Sequence, residues 1–256
     1  MSGKLWPARL KFQRQVSSRF DILSIMGDYD NLDPMESQYS PFFNDRELLG
    51  NEMLGTMSSA TWRLDPKRLG ITLSRYKFVS KMFSGYQSVL EIGAGDAWAS
   101  RIVLNETHHL TLSDFDPIWL EDFNRFGCYK AEGTEYRIHD FTTLPMRDGF
   151  DGAYALDVLE HIHPDLQADF LNNICKSLSS TGVAIFGMPS AESQIHASAA
   201  SRAGHVNCQS GDELRKNLSE YFQHVFMFSM NDEVVHTGFM PMAHYLLALC
   251  VIPLKD

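Results

Sequence analysis

The residues of this chain best suited to chemistry are a glutamate and two glycines at the end of an apolar run, three later aspartates, and a set of histidines. Val89-Leu90-Glu91-Ile92 leads into Gly93-Ala94-Gly95, where glycine lets the chain turn sharply and lets a ligand approach bare backbone. A helix after such a turn points free N–H groups at that ligand, so the stretch reads as a nucleotide-type binding turn. Two glycines alone also fit an ordinary strand-turn-helix corner. Asp114 follows about 20 residues later, where an acidic side chain can accept both ribose hydroxyls of a nucleoside, with Asp116 as the neighbouring alternative. Asp140 can accept from an exocyclic amine, and the Phe141 ring beside it can cover a base, a pair that suits adenine.

Proton transfer falls to the histidines. His205 and His236 lie in long segments after late strands, and a neutral imidazole takes a proton near physiological pH. A structural histidine bonded to loop backbone is the competing reading for each. Asp157, Glu160 and His161 are spaced i, i+3, i+4, which puts all three on one face if the turn there is helical. His161 thereby joins the catalytic candidates, and the trio could also hold a divalent metal.

These residues need a scaffold, and the pattern supplies one. From residue 86 strands alternate with helices, the signature of a layered α/β domain with a mostly parallel sheet. Seven strands are expected, at 88–92, 109–113, 135–139, 151–156, 182–188, 224–230 and 244–251. Helices are expected around 97–105, 117–126, 164–179 and 211–222, the last opened by a capping box at Ser210-Gly211-Asp212-Glu213. Each functional candidate then stands at or after a strand's carboxyl end, where ligands bind in open parallel sheets. Residues 1–85 show no alternating pattern. They carry aromatic and Met residues among turn formers and read as helices and loops forming a cap, ending in a helix over 68–83 with Leu69, Leu73, Tyr76, Val79 and Phe83 in one stripe.

Composition narrows the partners. The chain has 256 residues, 44% hydrophobic and 21% charged, ordinary for a globular protein with a sizeable core. Acidic residues number 32 against 22 basic ones, a formal net charge of −10, which argues against nucleic acid because phosphate binding needs clustered Lys and Arg. Cys128, Cys175, Cys208 and Cys250 form no C-x-x-C pair and read as reduced thiols, neither zinc ribbon nor disulfide framework. No window is long and apolar enough to cross a bilayer, so the expectation is a cytoplasmic protein with no membrane partner.

Together the residues resemble the class I S-adenosylmethionine-dependent methyltransferases, from about Arg75 to the C-terminus. "VLEIGAGDA" is similar to the family's first motif, and "FDGAYALDVLEHI" to its fourth strand with the turn that begins the acceptor site. The resemblance implies that Glu91 lies near the methionine amino group and that Gly93, Ala94 and Gly95 pass under the cofactor. It implies further that Asp114, with Phe115 beside it, serves the ribose, that Asp140 and Phe141 hold the adenine, and that Asp157 borders the cofactor. Arg75-Tyr76 stands where many members hold the cofactor carboxylate.

The family's usual third glycine is Ala97 here, the smallest substitute, so helix-to-strand packing should survive. A nicotinamide-binding G-x-G-x-x-G would instead need its last glycine at Trp98. The implied fold is a Rossmann-like seven-stranded sheet with the last strand antiparallel. A helical N-terminal cap (1–85) precedes an S-adenosylmethionine-binding domain (86–256).

The implied function is O- or N-methylation of a small-molecule acceptor, with a homodimer left open. The rival readings are an inactive regulatory protein that keeps the cofactor pocket and a nucleotide-dependent oxidoreductase. Asp157-x-x-Glu160-His161 also resembles the E-x-x-E-H of metal-dependent members such as the ubiquinone-pathway and small-RNA O-methyltransferases, with His205 as a further ligand. The same Leu-Glu-His ending occurs in members needing no metal, and Asp157 departs from the pattern's Glu, so the expectation is no metal.

Overall fold

The structure, a computed structural model, describes residues 34–49, 51, 53–126 and 133–254. The expected cap over residues 1–33, and Cys128, lie outside the described residues. The chain divides between Glu52 and Met53 into two compact units. In the first, the described residues form a 3-10 turn, Ser37–Tyr39, and helix α1 (Ser40–Leu49), which contains part of the aromatic run.

The second unit begins with α2 (Thr56–Leu64) and α3 (Lys67–Met82). Then follow β1 (Ser88–Ile92), α4 (Arg101–Leu104), β2 (His109–Asp114), α5 (Pro117–Phe126), β3 (Thr134–Ile138) and β4 (Phe150–Leu156). The chain continues through α6 (Gln167–Ser177), β5 (Leu178–Pro189), α7 (Ala199–Gly204) and α8 (Gly211–Leu218). It closes with β6 (Phe222–Asn231), β7 (Val234–His236) and β8 (Tyr245–Pro253). The sheet order is β3-β2-β1-β4-β5-β8-β6-β7. β1 to β5 run parallel, and β8 is antiparallel to both β5 and β6.

Helices on both faces explain why β1 and β4 are apolar almost throughout. Successive side chains alternate between the faces. Leu90, Ile92, Ala153 and Ala155 pack with Phe170, Ile174 and Leu214 of α6 and α8. Val89 and Tyr154 pack on the other face with Phe78 and Val79 of α3 and with Val103 of α4. The same alternation turns Glu91 toward α3.

Three expectations need correction. The sheet has eight strands, because Asp232 adopts a left-handed φ of 49° and turns the chain after β6 into a two-residue hairpin that adds β7. The helix expected over 97–105 shrinks to α4, because Ala97 takes a left-handed φ of 54° and the chain runs through turns until Arg101. Strand β5 starts at Leu178 instead of residue 182, directly where α6 ends. The capping box is present as expected: Ser210 Oγ accepts from the Glu213 N–H, and the Glu213 carboxylate accepts from the Ser210 N–H.

Candidate active site

The glycine turn is a close-packed corner. Gly93 has φ 73°, and a Cβ added there would lie 2.4 Å from a Val158 methyl, so only glycine fits. The amides of Gly93 and Ala94 both donate to the Ser113 carbonyl at 2.8 and 2.9 Å. Gly95 donates to Asp114 Oδ2 at 3.1 Å, and Ala97 donates to the Ala94 carbonyl. These N–H groups are therefore committed internally, and the expectation of a helix aiming free amides at a ligand does not hold. The turn offers a bare surface without a phosphate cradle.

Asp114 ends β2 at 7% exposure, its Oδ1 accepting from the Asp116 N–H and its Oδ2 from Gly95. Burial raises its pKa, partly offset by those amides. Asp116 is engaged otherwise, since its Oδ1 accepts from Ile118 N–H in the first turn of α5. Phe115 beside Asp114 is 71% exposed. At the end of β3, Asp140 Oδ1 accepts from both the amide and the hydroxyl of Thr142. The Phe141 ring is buried in the core with Met146 and Phe150, edge-on to His139. It therefore offers no face to a base from this position, and the exposed aromatic at these strand ends is Phe115.

Behind the turn lies a buried carboxylate. Glu91 accepts from the phenols of Tyr76 and Tyr154 at 2.8 and 2.5 Å. Burial pushes its pKa up to about 7, against the lowering effect of those hydroxyls. Next to Tyr76, Arg75 donates to Asp157 Oδ2 at 2.6 Å, and its guanidinium lies 3.7 Å from the centre of the Tyr245 ring. Asp157 itself has φ 57°, a left-handed residue at the end of β4 held by its N–H to the Gly187 carbonyl.

The next turn holds the densest chemistry. Glu160, His161 and His205 each bring one potential ligand atom within 4.8 Å of the others. Residue Glu160 is 1% exposed, and neither carboxylate oxygen has a hydrogen-bond partner. Burial, reinforced by Asp157, pushes its pKa up to about 9. The backbone carbonyl of Glu160 accepts from Val206 and Asn207 N–H at 2.8 and 3.0 Å, pinning the 205–207 segment against it.

His161 Nδ1 lies 2.9 Å from the Gly204 carbonyl and His205 Nδ1 lies 2.9 Å from Gln194 Oε1. Both partners are acceptors, so each Nδ1 carries a proton, and in the neutral ring Nε2 has the lone pair. The rings meet edge to face at 5.1 Å. Burial lowers the His205 pKa, and neighbouring His161 adds to that.

His236 does not join them. Its Nε2 pairs with Asn231 Oδ1, its Nδ1 accepts from Gly238 N–H, and β7 lies beyond β5, β8 and β6 from the end of β4. With both nitrogens occupied it fastens the hairpin, so the structure gives it the structural role. Asp157, grouped with the metal candidates in the sequence, is not one of that cluster and is paired with Arg75 instead. Residue spacing gave no sign of Tyr245 or Gln194, which reach the site through contacts distant in the chain. Tyr154 did have a signal, since alternation along β4 places it on the face of Glu91.

Residues 90–186 match a family described as a methyltransferase domain. No curated protein matches the chain. Among solved structures, the N-methyltransferase NodS from Bradyrhizobium japonicum, in complex with S-adenosylhomocysteine, is 18% identical with a TM-score of 0.56. That match covers 75% of this chain and 92% of NodS. The Burkholderia thailandensis 1,6-didemethyltoxoflavin-N1-methyltransferase is also 18% identical, with a TM-score of 0.53 over 88% of this chain and 93% of that one. The methyltransferase domain of bacterial CtHen1-C is 14% identical, with a TM-score of 0.58 over 71% and 98%. At these identities the structural likeness is one of fold.

Proposed function

We propose that this chain, a class I S-adenosylmethionine-dependent methyltransferase, methylates an oxygen or nitrogen of a small molecule, with His205 as the base. The observation that carries the reading is the convergence of His205, His161 and the buried Glu160 at the end of β4, beside the cofactor residues.

The cofactor fits its residues. Gly93 and Gly95 keep the turn free of side chains where the cofactor would pass, and Asp114 has carboxylate lone pairs left beside the exposed Phe115 ring. The internally bonded amides suit a ligand without a pyrophosphate. Bound S-adenosylmethionine supplies an electrophilic methyl on a sulfonium, transferred by in-line displacement. The protein's share is then to align the acceptor and take its proton. His205, its Nδ1–H fixed on Gln194, presents the Nε2 lone pair for that step. Arg75, bridged to Asp157, holds α3 against the end of β4 and so keeps the two halves of the site in register.

The net charge of −10 supports a small acceptor over nucleic acid. Cys175, Cys208 and Cys250 are free thiols, which supports a reducing, cytoplasmic setting. The test is S-adenosylhomocysteine release from a panel of phenols, catechols and amines. His205→Ala should lower turnover about 100-fold or more while leaving cofactor affinity intact. Unchanged turnover removes His205 from the mechanism.

A second reading is favoured by one observation. Both Glu160 oxygens are buried without a donor, next to two imidazoles that present lone pairs. Such a set suits a divalent cation held by Glu160, His161 and His205, which would orient an oxygen acceptor. Full activity after exhaustive chelation eliminates it, and loss restored by added metal supports it.

A further inference from the structure

We propose that helix α2 is a strap across the mouth of the cofactor pocket, latched by Asp96 and Asp122, and that its release controls how fast the cofactor leaves. Two anchors define it. Thr56 donates its N–H and its hydroxyl to the Asp122 carboxylate on α5, at 3.0 and 2.5 Å. Ser58 donates its N–H and its hydroxyl to the Asp96 carboxylate, at 2.7 and 3.1 Å. Asp96 directly follows Gly95 in the glycine turn, and α5 starts three residues after Asp114. The first turn of α2 therefore spans from one wall of the cofactor groove to the other.

Helix α2 has no cap of its own, because its N-cap is Gly55. Its orphan amides are satisfied from across the groove by two carboxylates, whose charge also suits a helix N-terminus. Gly55 makes the seat possible: a Cβ there would lie 2.3 Å from Asp96 Cβ. Between the anchors sits Met57, whose terminal methyl would come within 3.2 Å of any side chain at Gly95. It faces the same bare backbone that the cofactor must approach.

Packing contributes little to holding this helix. Ser58 is its only buried residue, whereas Met57, Trp62 and Leu64 are each more than half exposed. The grip is the pair of carboxylate latches, which can let go without dismantling a core. Asp96 and Asp122 thus act as positioning residues for cofactor retention, through α2.

The inference rests on the cofactor reading, and the experiment separates the two. Dissociation of S-adenosylhomocysteine is followed by stopped-flow tryptophan fluorescence, with Trp62 on the strap, in wild type, Thr56→Val and Asp122→Asn. Both variants leave Asp96 and the glycine turn untouched. Off-rates should rise about 10-fold, and amide exchange over residues 56–64 should quicken, at unchanged melting temperature. A second variant works in the opposite sense: Thr56→Cys with Asp122→Cys, oxidised to a disulfide, should slow release, and reduction should restore it. Off-rates that match wild type in the open and the locked variants overturn the strap and leave the cofactor reading intact. Wild type that binds no S-adenosylhomocysteine overturns both.

Discussion

The two halves of the proposed site, the one read as the cofactor side and the one read as the acceptor side, are built by opposite means. Around Gly93, Gly95 and Asp114 the turn amides and the carboxylate have partners supplied by neighbouring strand ends, and the buried Ser100 hydroxyl in the turn that follows is the exception. Around Glu160, buried polar atoms stand without partners: both oxygens of Glu160, Arg75 Nε and the Tyr245 hydroxyl. A folded chain seldom tolerates such groups, since each costs about 1 to 3 kcal/mol. A satisfied corner needs nothing more than a ligand that fits its shape. An unsatisfied one marks the place where chemistry completes the structure.

The contrast can be broken most forcefully at Glu160. Burial and the neighbouring Asp157 push its pKa up, and Glu160→Gln keeps the shape while removing the carboxyl group. Stability should change by less than about 1 kcal/mol, whereas turnover should fall about 100-fold, equivalent to about 2.7 kcal/mol of barrier. Equal losses in melting temperature and turnover would make Glu160 a packing residue.

Glu91 gives an effect of comparable size, and it is a matter of pH. Its folded pKa, raised to about 7, exceeds the ordinary carboxylate value, so the folded state binds its proton more tightly than the unfolded state does. Stability from this group is therefore greatest below about pH 4.5 and is lost progressively as pH rises toward 7. The full loss is about 3 kcal/mol. Glu91→Gln should abolish this component in urea denaturation followed between pH 5 and 8. An identical pH profile in the variant would contradict the assignment.

The smallest effect lies in the glycine turn. Ala97 holds a left-handed φ of 54°, a conformation that costs a non-glycine residue about 1 to 2 kcal/mol. Ala97→Gly relieves that strain but adds chain entropy to the unfolded state, so it should stabilise by about 0.5 to 1 kcal/mol. Destabilisation of that size in thermal melts would mean that the methyl packs better than the backbone is strained.

What the sequence made legible follows the same division. β1 and β4 announce themselves by apolar runs, β2 by alternation, and the glycine turn and Asp114 by local spacing, because each is decided within a few residues. The pairing of Glu160 and His161 was legible for the same reason. His236 is not legible in the sequence, because its fate depends on Asp232 turning left-handed and adding β7, a choice among turn conformations that residue type leaves open. Phe141 reads in the sequence as a base cover, but its ring fills the core beside Phe150. The latches of α2 join residues 38 and 66 positions apart, beyond any local pattern.

The most direct test of the account is S-adenosylhomocysteine calorimetry on Asp114→Ala and His205→Ala in parallel with wild type. The division of labour predicts that Asp114→Ala loses about 1 to 3 kcal/mol of binding free energy while His205→Ala binds as wild type does. Undiminished affinity in Asp114→Ala, or an equal loss in both variants, would contradict it.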